Sequence, residues 1–72
     1  MFLSELKDGQ SGVISSINAN AAFLRRLGEM GFTSGERVQC LCRSAFGSPI
    51  LYAIKGSTIA LRRRDAERVV IL

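Results

Sequence analysis

The sequence predicts a mainly β fold, a small SH3-like barrel of about five short strands with one short helix inserted after the first strand. Short apolar or alternating segments recur at close intervals along the 72 residues, and glycine turns separate them, as is typical of small, strongly bent barrels. Only residues 21–30 place apolar side chains at helical spacing. No repeat or linker-like stretch interrupts the chain, so we expect one domain over residues 1–72.

The chain begins with a turn and a strand. Residues 3–6 predict a short turn whose two leucines pack against the sheet. Residues 11–17 follow an Asp-Gly turn signal and alternate as a strand does. This alternation places Val13 and Ile17 on one face of the strand and Ile14 on the other.

The helix is predicted at residues 21–30, with Asn20 as its N-cap and Gly31 as the left-handed residue that ends it. Gly28 lies inside this helix at a cost of about 1 kcal/mol relative to alanine, which predicts close approach by a neighbouring element. The apolar stripe consists of Phe23, Leu24, Leu27 and Met30. We assign the last three of these residues to the core.

The rest of the chain predicts four more strands. A tight turn at residues 33–36 places Gly35 where a positive φ is needed. The strands are predicted at residues 37–43, 50–55, 58–62 and 69–72, with one helical turn at 65–68. Because the last strand is apolar throughout, we expect it to be buried between neighbours.

Positive charge is concentrated in the second half of the chain. Residues 1–36 carry three bases and four acids, a net −1, whereas residues 37–72 carry seven bases and two acids, a net +5. This asymmetry indicates either a solvated basic surface or an anionic partner, which could be nucleic acid, an acidic protein surface or a membrane. Single-strand binding through Arg62-Arg63-Arg64 is the main alternative function, but it needs stacking aromatics on the same surface. We assign Phe23 and Phe32 to helix packing and therefore expect no nucleic-acid partner.

No set of residues indicates catalysis. The chain has no histidine, and no nucleophile has an adjacent base to activate it. Residues 55–58, Lys-Gly-Ser-Thr, lack the leading glycine and the spacing of a phosphate-binding loop. The sequence predicts a protein that is not an enzyme and that holds no cofactor.

Cys40 and Cys42 lie two residues apart in a predicted strand, so their side chains are expected on one face. Their Cα atoms would be about 6.5–7 Å apart, too far for an easy disulfide. We predict free thiols that act as small buried apolar groups, as suits a reducing compartment. Since tetrahedral zinc takes four ligands, a metal site would require the Cys-x-Cys pairs of two subunits, and we predict none within one chain.

The longest apolar run, Ile50–Ile54, is far shorter than the roughly 18 residues of a membrane-spanning helix. The first residues lack the basic segment and apolar stretch of a signal peptide. We therefore expect a cytoplasmic location.

Several short motifs follow one another over essentially the whole chain. They are Leu3-x-x-Leu6, Asp8-Gly9-x-x-Gly12, the run from Arg25 to Phe32 followed by a glycine turn, Gly47-x-Pro49-Ile50, and Ile59 to Arg63 followed by Ala66, Val69 and Ile71. In this order and spacing they resemble the FeoA family, small cytoplasmic accessory proteins of bacterial ferrous iron transport. The resemblance implies an SH3-like barrel that acts with FeoB, a membrane permease with a cytoplasmic GTP-binding domain.

By this resemblance the chain would dock on the permease without binding GTP itself, and it would meet the membrane only through that partner. The family often has Pro-Gly where this chain has Ser34-Gly35, which removes about 0.4–1 kcal/mol of loop rigidity. Because recognition is usually carried by loops and exposed charges on a rigid scaffold, we predict the following partner-binding residues: Arg25, Arg26, Thr33, Ser34, Gly35, Phe46, Gly47, Ser48 and Pro49. Self-association through an exposed strand edge stays open.

Overall fold

The structure is a computed structural model that describes residues 1–72. A 3₁₀ turn at Leu3–Glu5 is followed by β1 (Ser11–Ile17), α1 (Ala21–Glu29), β2 (Arg37–Arg43), β3 (Ile50–Ile54), β4 (Ser57–Leu61), α2 (Arg63–Ala66) and β5 (Val69–Ile71). The strands form one antiparallel sheet in the order β4-β3-β2-β1-β5. The predicted mainly β fold with a helix after the first strand is confirmed. No helix has both the length and the apolar character needed to span a membrane.

The element boundaries differ from the predictions mainly at α2, which begins two residues earlier than expected. The hydroxyl oxygen of Ser48 accepts a hydrogen bond from the backbone N–H of Arg63 at 3.1 Å. This bond satisfies a free donor in the first turn of α2, so a residue from a distant loop helps to define where the helix starts. At the β3–β4 hairpin, Lys55 has φ +50° and Gly56 φ +76°, so Lys55 belongs to the turn and not to the strand.

A β-bulge in β1 changes which side chains face the core. The pairing of β1 with β5 shifts register between Ile14 and Ser16, and an extra residue at a bulge resets the alternation of a strand. Ile14 is buried and Ile17 also packs against the core. The prediction that Ile17 shares a face with Val13, opposite Ile14, is therefore wrong.

β5 lies at the end of the sheet order and not between two strands. It pairs with β1 on one side, and on the other side it has only an isolated bridge between Phe2 and Val70. Val69 and Ile71 are buried while Val70 is half-buried. The expected burial of the whole strand is wrong. An apolar sequence cannot show that one edge of the strand pairs only with the start of the chain.

The barrel encloses one core. The buried side chains are Leu3, Leu6, Ile14, Leu27, Phe32, Val38, Cys40, Ile50, Tyr52, Ile54, Leu61, Ala66, Val69 and Ile71. The rings of Phe32 and Tyr52 meet edge to face with centroids 6.4 Å apart. Burial raises the pKa of the Tyr52 hydroxyl, which donates a hydrogen bond to the carbonyl of Leu3 at 3.2 Å. This bond fixes the N-terminal turn on the sheet, where its two leucines pack as predicted.

Local signals define both ends of α1. The Asn20 side chain accepts a hydrogen bond from the N–H of Phe23 at 2.9 Å. At the other end, Gly31 has φ +100° and donates to the carbonyl of Gly28, while Phe32 donates to that of Leu27. These two bonds form a Schellman motif, with Phe32 folded into the core as predicted.

Only Leu27 of α1 is fully buried. Phe23 and Met30 pack partly against the core, but Leu24 is 40% exposed, so its predicted core position is wrong. At about 100° per residue, Phe23 and Met30 lie on one side of Leu27 and Leu24 lies about 60° to the other. The helix rests on its Phe23 and Met30 side, which leaves Leu24 at the rim of the buried stripe.

Gly28 has no close neighbour. A Cβ there would meet only the methyl group of Thr33, at an ordinary 3.7 Å. The predicted close approach to Gly28 is wrong within this chain. A close approach does occur at Gly12, where a Cβ would lie 2.3 Å from Cγ2 of Ile71.

Candidate interaction surfaces

The predicted partner-binding residues separate into two groups on either side of α1. Thr33 and Ser34 line a hollow of about 380 Å³, together with the exposed Leu24. We call this the turn hollow; its lining is Ser16, Ile17, Leu24, Phe32, Thr33 and Ser34. Arg26 and Ser48 line other hollows, described below.

The turn beside this hollow is held by hydrogen bonds. Gly35 has φ +90° and its N–H donates to the carbonyl of Ile14 at 2.7 Å. The Ser34 hydroxyl donates to the carbonyl of Ser15 at 3.1 Å. Ser34 therefore supplies a tether to β1, which offsets part of the loop rigidity that a proline at this position would give.

The second group lies on a surface made mainly of arginine. Arg64 lines three adjoining hollows. It shares the first with Ser48 and Arg62, the second with Arg68, and the third again with Arg62. Arg26 lines the last two of these hollows. We call this the basic surface, defined by Arg26, Arg62, Arg63, Arg64 and Arg68. It links the predicted Arg26 to the predicted 46–49 loop, whereas Arg25 is exposed and lines none of these hollows.

Most arginines of the basic surface have no carboxylate partner. Arg63 pairs with Glu67 at 3.6 Å, and the chain's other ion pair, Lys55 with Glu36, involves none of these arginines. The guanidinium carbons of Arg26 and Arg68 each lie 5.8 Å from the ring centroid of Phe23, within cation–π range. The ring of Phe23 is therefore in contact range of two positive charges from different parts of the chain.

Sequence reasoning missed Arg68 as a member of this surface. Its four-residue spacing from Arg64 would have placed both arginines on one face of a helix. In the structure, however, Arg68 lies after the end of α2, and its guanidinium group joins the basic surface by its contact with the ring of Phe23 in α1. Only the tertiary fold brings α1 and the segment after α2 together.

The loop between β2 and β3 presents Phe46 to solvent. The Ser44 hydroxyl donates to the carbonyl of Ser48 at 2.5 Å and accepts from its N–H at 3.1 Å. Gly47 also donates to the carbonyl of Ser44 at 2.9 Å. On this closed loop the Phe46 side chain is 95% exposed.

The two cysteines are in different environments. Both are free, as predicted, but Cys40 is buried and Cys42 is exposed. The pairing of β2 with β3 shifts register between them, and such a bulge breaks the alternation that would put both on one face. The predicted common face is therefore wrong, and the small buried apolar role fits Cys40 alone. No group of three or more His, Cys, Asp or Glu side chains in this chain could hold a metal ion.

The thiols are expected to differ in reactivity. Burial is the main cause that raises the pKa of Cys40, while the charge of nearby Arg43 acts in the opposite direction. A thiol reagent such as Ellman's reagent should modify Cys42 rapidly and Cys40 only after unfolding.

The pKa of Cys40 in the folded chain exceeds its ordinary 9.0, so the folded state favours the neutral thiol. The stability that this neutral thiol contributes should therefore be lost as the pH rises above about 9.

Two variants check this prediction about the thiols. Cys42→Ser should abolish the fast phase of modification, and Cys40→Ala should leave it intact. Fast modification of both thiols in the native chain would contradict the burial of Cys40.

The whole chain matches a known family. Residues 1–72 match the model of the FeoA domain. A fusion protein of Fe(2+) transport protein A and the Fe(2+) transporter FeoB from Porphyromonas gingivalis is 32% identical over 99% of this chain, which spans 8% of that protein. The putative Fe(2+) transport protein A of Campylobacter jejuni is 30% identical over 99% of this chain and 96% of its own length.

A solved structure agrees with the fold. The crystal structure of Stenotrophomonas maltophilia FeoA complexed with zinc, a procaryotic SH3 domain protein, superimposes with a TM-score of 0.84 at 40% identity over 99% of this chain and 88% of that one. The predicted SH3-like barrel is confirmed. The family match over all 72 residues and the relative of nearly equal length show that this chain belongs to the FeoA family.

Proposed function

We propose that this chain is an accessory module of ferrous iron transport that binds the cytoplasmic side of an FeoB-type permease and modulates its assembly or activity. The observation that carries this proposal is the Porphyromonas gingivalis fusion, in which a segment similar to this chain shares one polypeptide with an FeoB transporter. Covalent linkage gives two domains a high effective concentration. A separate chain of the same kind needs a binding surface for the transporter if the two are to stay associated without that linkage.

The turn hollow is the best candidate for the centre of that surface. Leu24 is an apolar side chain exposed at the rim of the hollow, next to a turn that hydrogen bonds hold to β1. An apolar side chain beside a preorganised turn can bind a partner at low entropic cost. Arg25 follows Leu24 on α1 and would orient an acidic partner segment, whereas Arg26 belongs to the basic surface on the other side of the helix. The 46–49 loop, on the basic surface, is a secondary contact in this proposal.

Binding to the purified permease in detergent tests the proposal. We expect Leu24→Arg to weaken binding at least about tenfold, because a charge would enter the centre of an apolar contact. Arg25→Glu with Arg26→Glu should weaken it less and should reduce its dependence on salt. The measurement is a titration of permease with labelled chain, with the permease's GTP hydrolysis rate as a second readout.

Lys7→Glu with Arg37→Glu serves as the control, because both side chains are exposed and lie in neither surface. This pair should leave binding within about twofold, as expected for charges outside a contact. Absence of binding by the unmodified chain would refute the proposed function. Binding that Leu24→Arg leaves unchanged, in a folded variant, would refute the proposed face.

A further inference from the structure

We propose that the basic surface and Phe46 together form a docking site for anionic phospholipid headgroups, so that this chain contacts a membrane directly. This goes beyond the proposed function, because the contact needs no permease. It also departs from the expectation that the chain meets a membrane only through its partner.

Most of the chain's excess charge lies on this surface. The five arginines of the basic surface are accompanied by two carboxylates, Asp65 and Glu67, so the surface carries +3 of the chain's net +4. Only Arg63 has an ion-pair partner, and all five arginines are exposed. Each base that reaches an anionic bilayer surface strengthens binding by about fivefold.

Phe46 stands beside these charges. A Cβ on Gly47 would lie 3.9 Å from Nη1 of Arg63, so the tip of the loop and the basic surface are adjacent. Hydrogen bonds between Ser44 and Ser48 close the loop around Phe46, which is 95% exposed. An exposed phenylalanine next to arginines is the combination that enters the boundary between headgroups and acyl chains.

Other anionic partners fit this surface less well. Single-stranded nucleic acid requires several free rings in succession, whereas Arg26 and Arg68 cover the ring of Phe23 and leave Phe46 as the free ring on this surface. An acidic peptide requires a pocket for an anchoring side chain. The hollow next to the loop has no aromatic or aliphatic residue in its lining, which consists of Ser48, Arg62, Arg63, Arg64 and Glu67.

Co-sedimentation of the purified chain with protein-free vesicles tests this proposal. We expect binding to phosphatidylcholine vesicles that contain phosphatidylglycerol and none to pure phosphatidylcholine vesicles. Arg62→Glu with Arg64→Glu should weaken binding at least about 25-fold, and Phe46→Ala about tenfold. Because the chain has no tryptophan, Phe46→Trp supplies a single tryptophan whose emission should shift to the blue on phosphatidylglycerol vesicles alone.

Lys7→Glu with Arg37→Glu makes the same change in net charge away from the basic surface and should bind within about fivefold of the unmodified chain. Far-ultraviolet circular dichroism shows that each variant is folded. Equal losses of vesicle binding in the two charge-reversed variants would mean that net charge alone explains the binding, which would overturn the proposal. Failure of the unmodified chain to bind anionic vesicles would overturn it too, as would tighter binding to a single-stranded oligonucleotide or a polyglutamate peptide. Permease binding is measured separately, so either proposal can fail alone.

Discussion

Replacing Leu27 with alanine is expected to lower the free energy of unfolding by about 2–5 kcal/mol. Leu27 is fully buried and is the one side chain of α1 that enters the core completely. Truncation removes the transfer free energy of the side chain and leaves a cavity that close packing cannot fill without rearrangement. Because a domain of this length has only a few kcal/mol of stability, the variant should be largely unfolded or close to its unfolding midpoint at room temperature.

Leu24→Ala is the matched control, because it makes the same substitution one turn earlier in the same helix. With 40% of its side chain exposed, Leu24 loses less burial on truncation, and we expect a cost below about 1 kcal/mol. Urea denaturation followed by circular dichroism measures both variants. Equal losses would mean that α1 rests on both leucines, which would contradict the orientation of the helix.

The local elements of the fold were predictable because neighbouring residues determine them. Asn20, Gly31 and Gly35 each occupy a position where capping or a positive φ specifies the residue type. The structure places all three as predicted. The bounds of β1 and β2 were also correct to the residue, because turn signals flank both strands.

The errors share a different cause, since each depends on residues distant in the chain. The bulges in β1 and β2 arise from pairing with β5 and β3, and they moved Ile17 and Cys42 to faces that alternation does not predict. The start of α2 depends on Ser48, fifteen residues away. A single sequence contains no signal for such contacts.

The same limit applies to the candidate site. The exposed arginines of α1 and the 46–49 loop could be named from the sequence. Only the three-dimensional structure shows that Arg62–Arg64 lie between Arg26 and this loop and join them into one surface. Conversely, Thr33 and Ser34 lie with Leu24 in the turn hollow, apart from Arg26. α1 therefore separates two surfaces of different chemistry, an apolar hollow suited to a protein segment and a basic surface suited to an anionic one.

Gly12→Ala is the second substitution for which we expect a large loss. A Cβ at Gly12 would lie 2.3 Å from Cγ2 of Ile71, a buried and branched side chain that cannot simply turn away. Insertion of a methyl group into a packed core costs about 1–3 kcal/mol. The position is in β1 without a positive φ, so the loss would come from this contact and not from backbone strain.

A double-mutant cycle with Ile71→Ala separates this clash from other causes, because truncation of Ile71 removes the methyl group that blocks the new Cβ. We expect Gly12→Ala to cost about 1–3 kcal/mol in the unmodified chain and close to nothing in the Ile71→Ala background, a coupling well above the roughly 0.5 kcal/mol scatter of independent sites. Gly28→Ala is the matched glycine, with only an ordinary contact at its Cβ position, and should raise stability by about 0.5–1 kcal/mol. If Gly12→Ala were equally harmful in both backgrounds, the contact with Ile71 would not explain the glycine. If Gly12→Ala and Gly28→Ala changed stability alike, the close approach of β1 and β5 would be disproved.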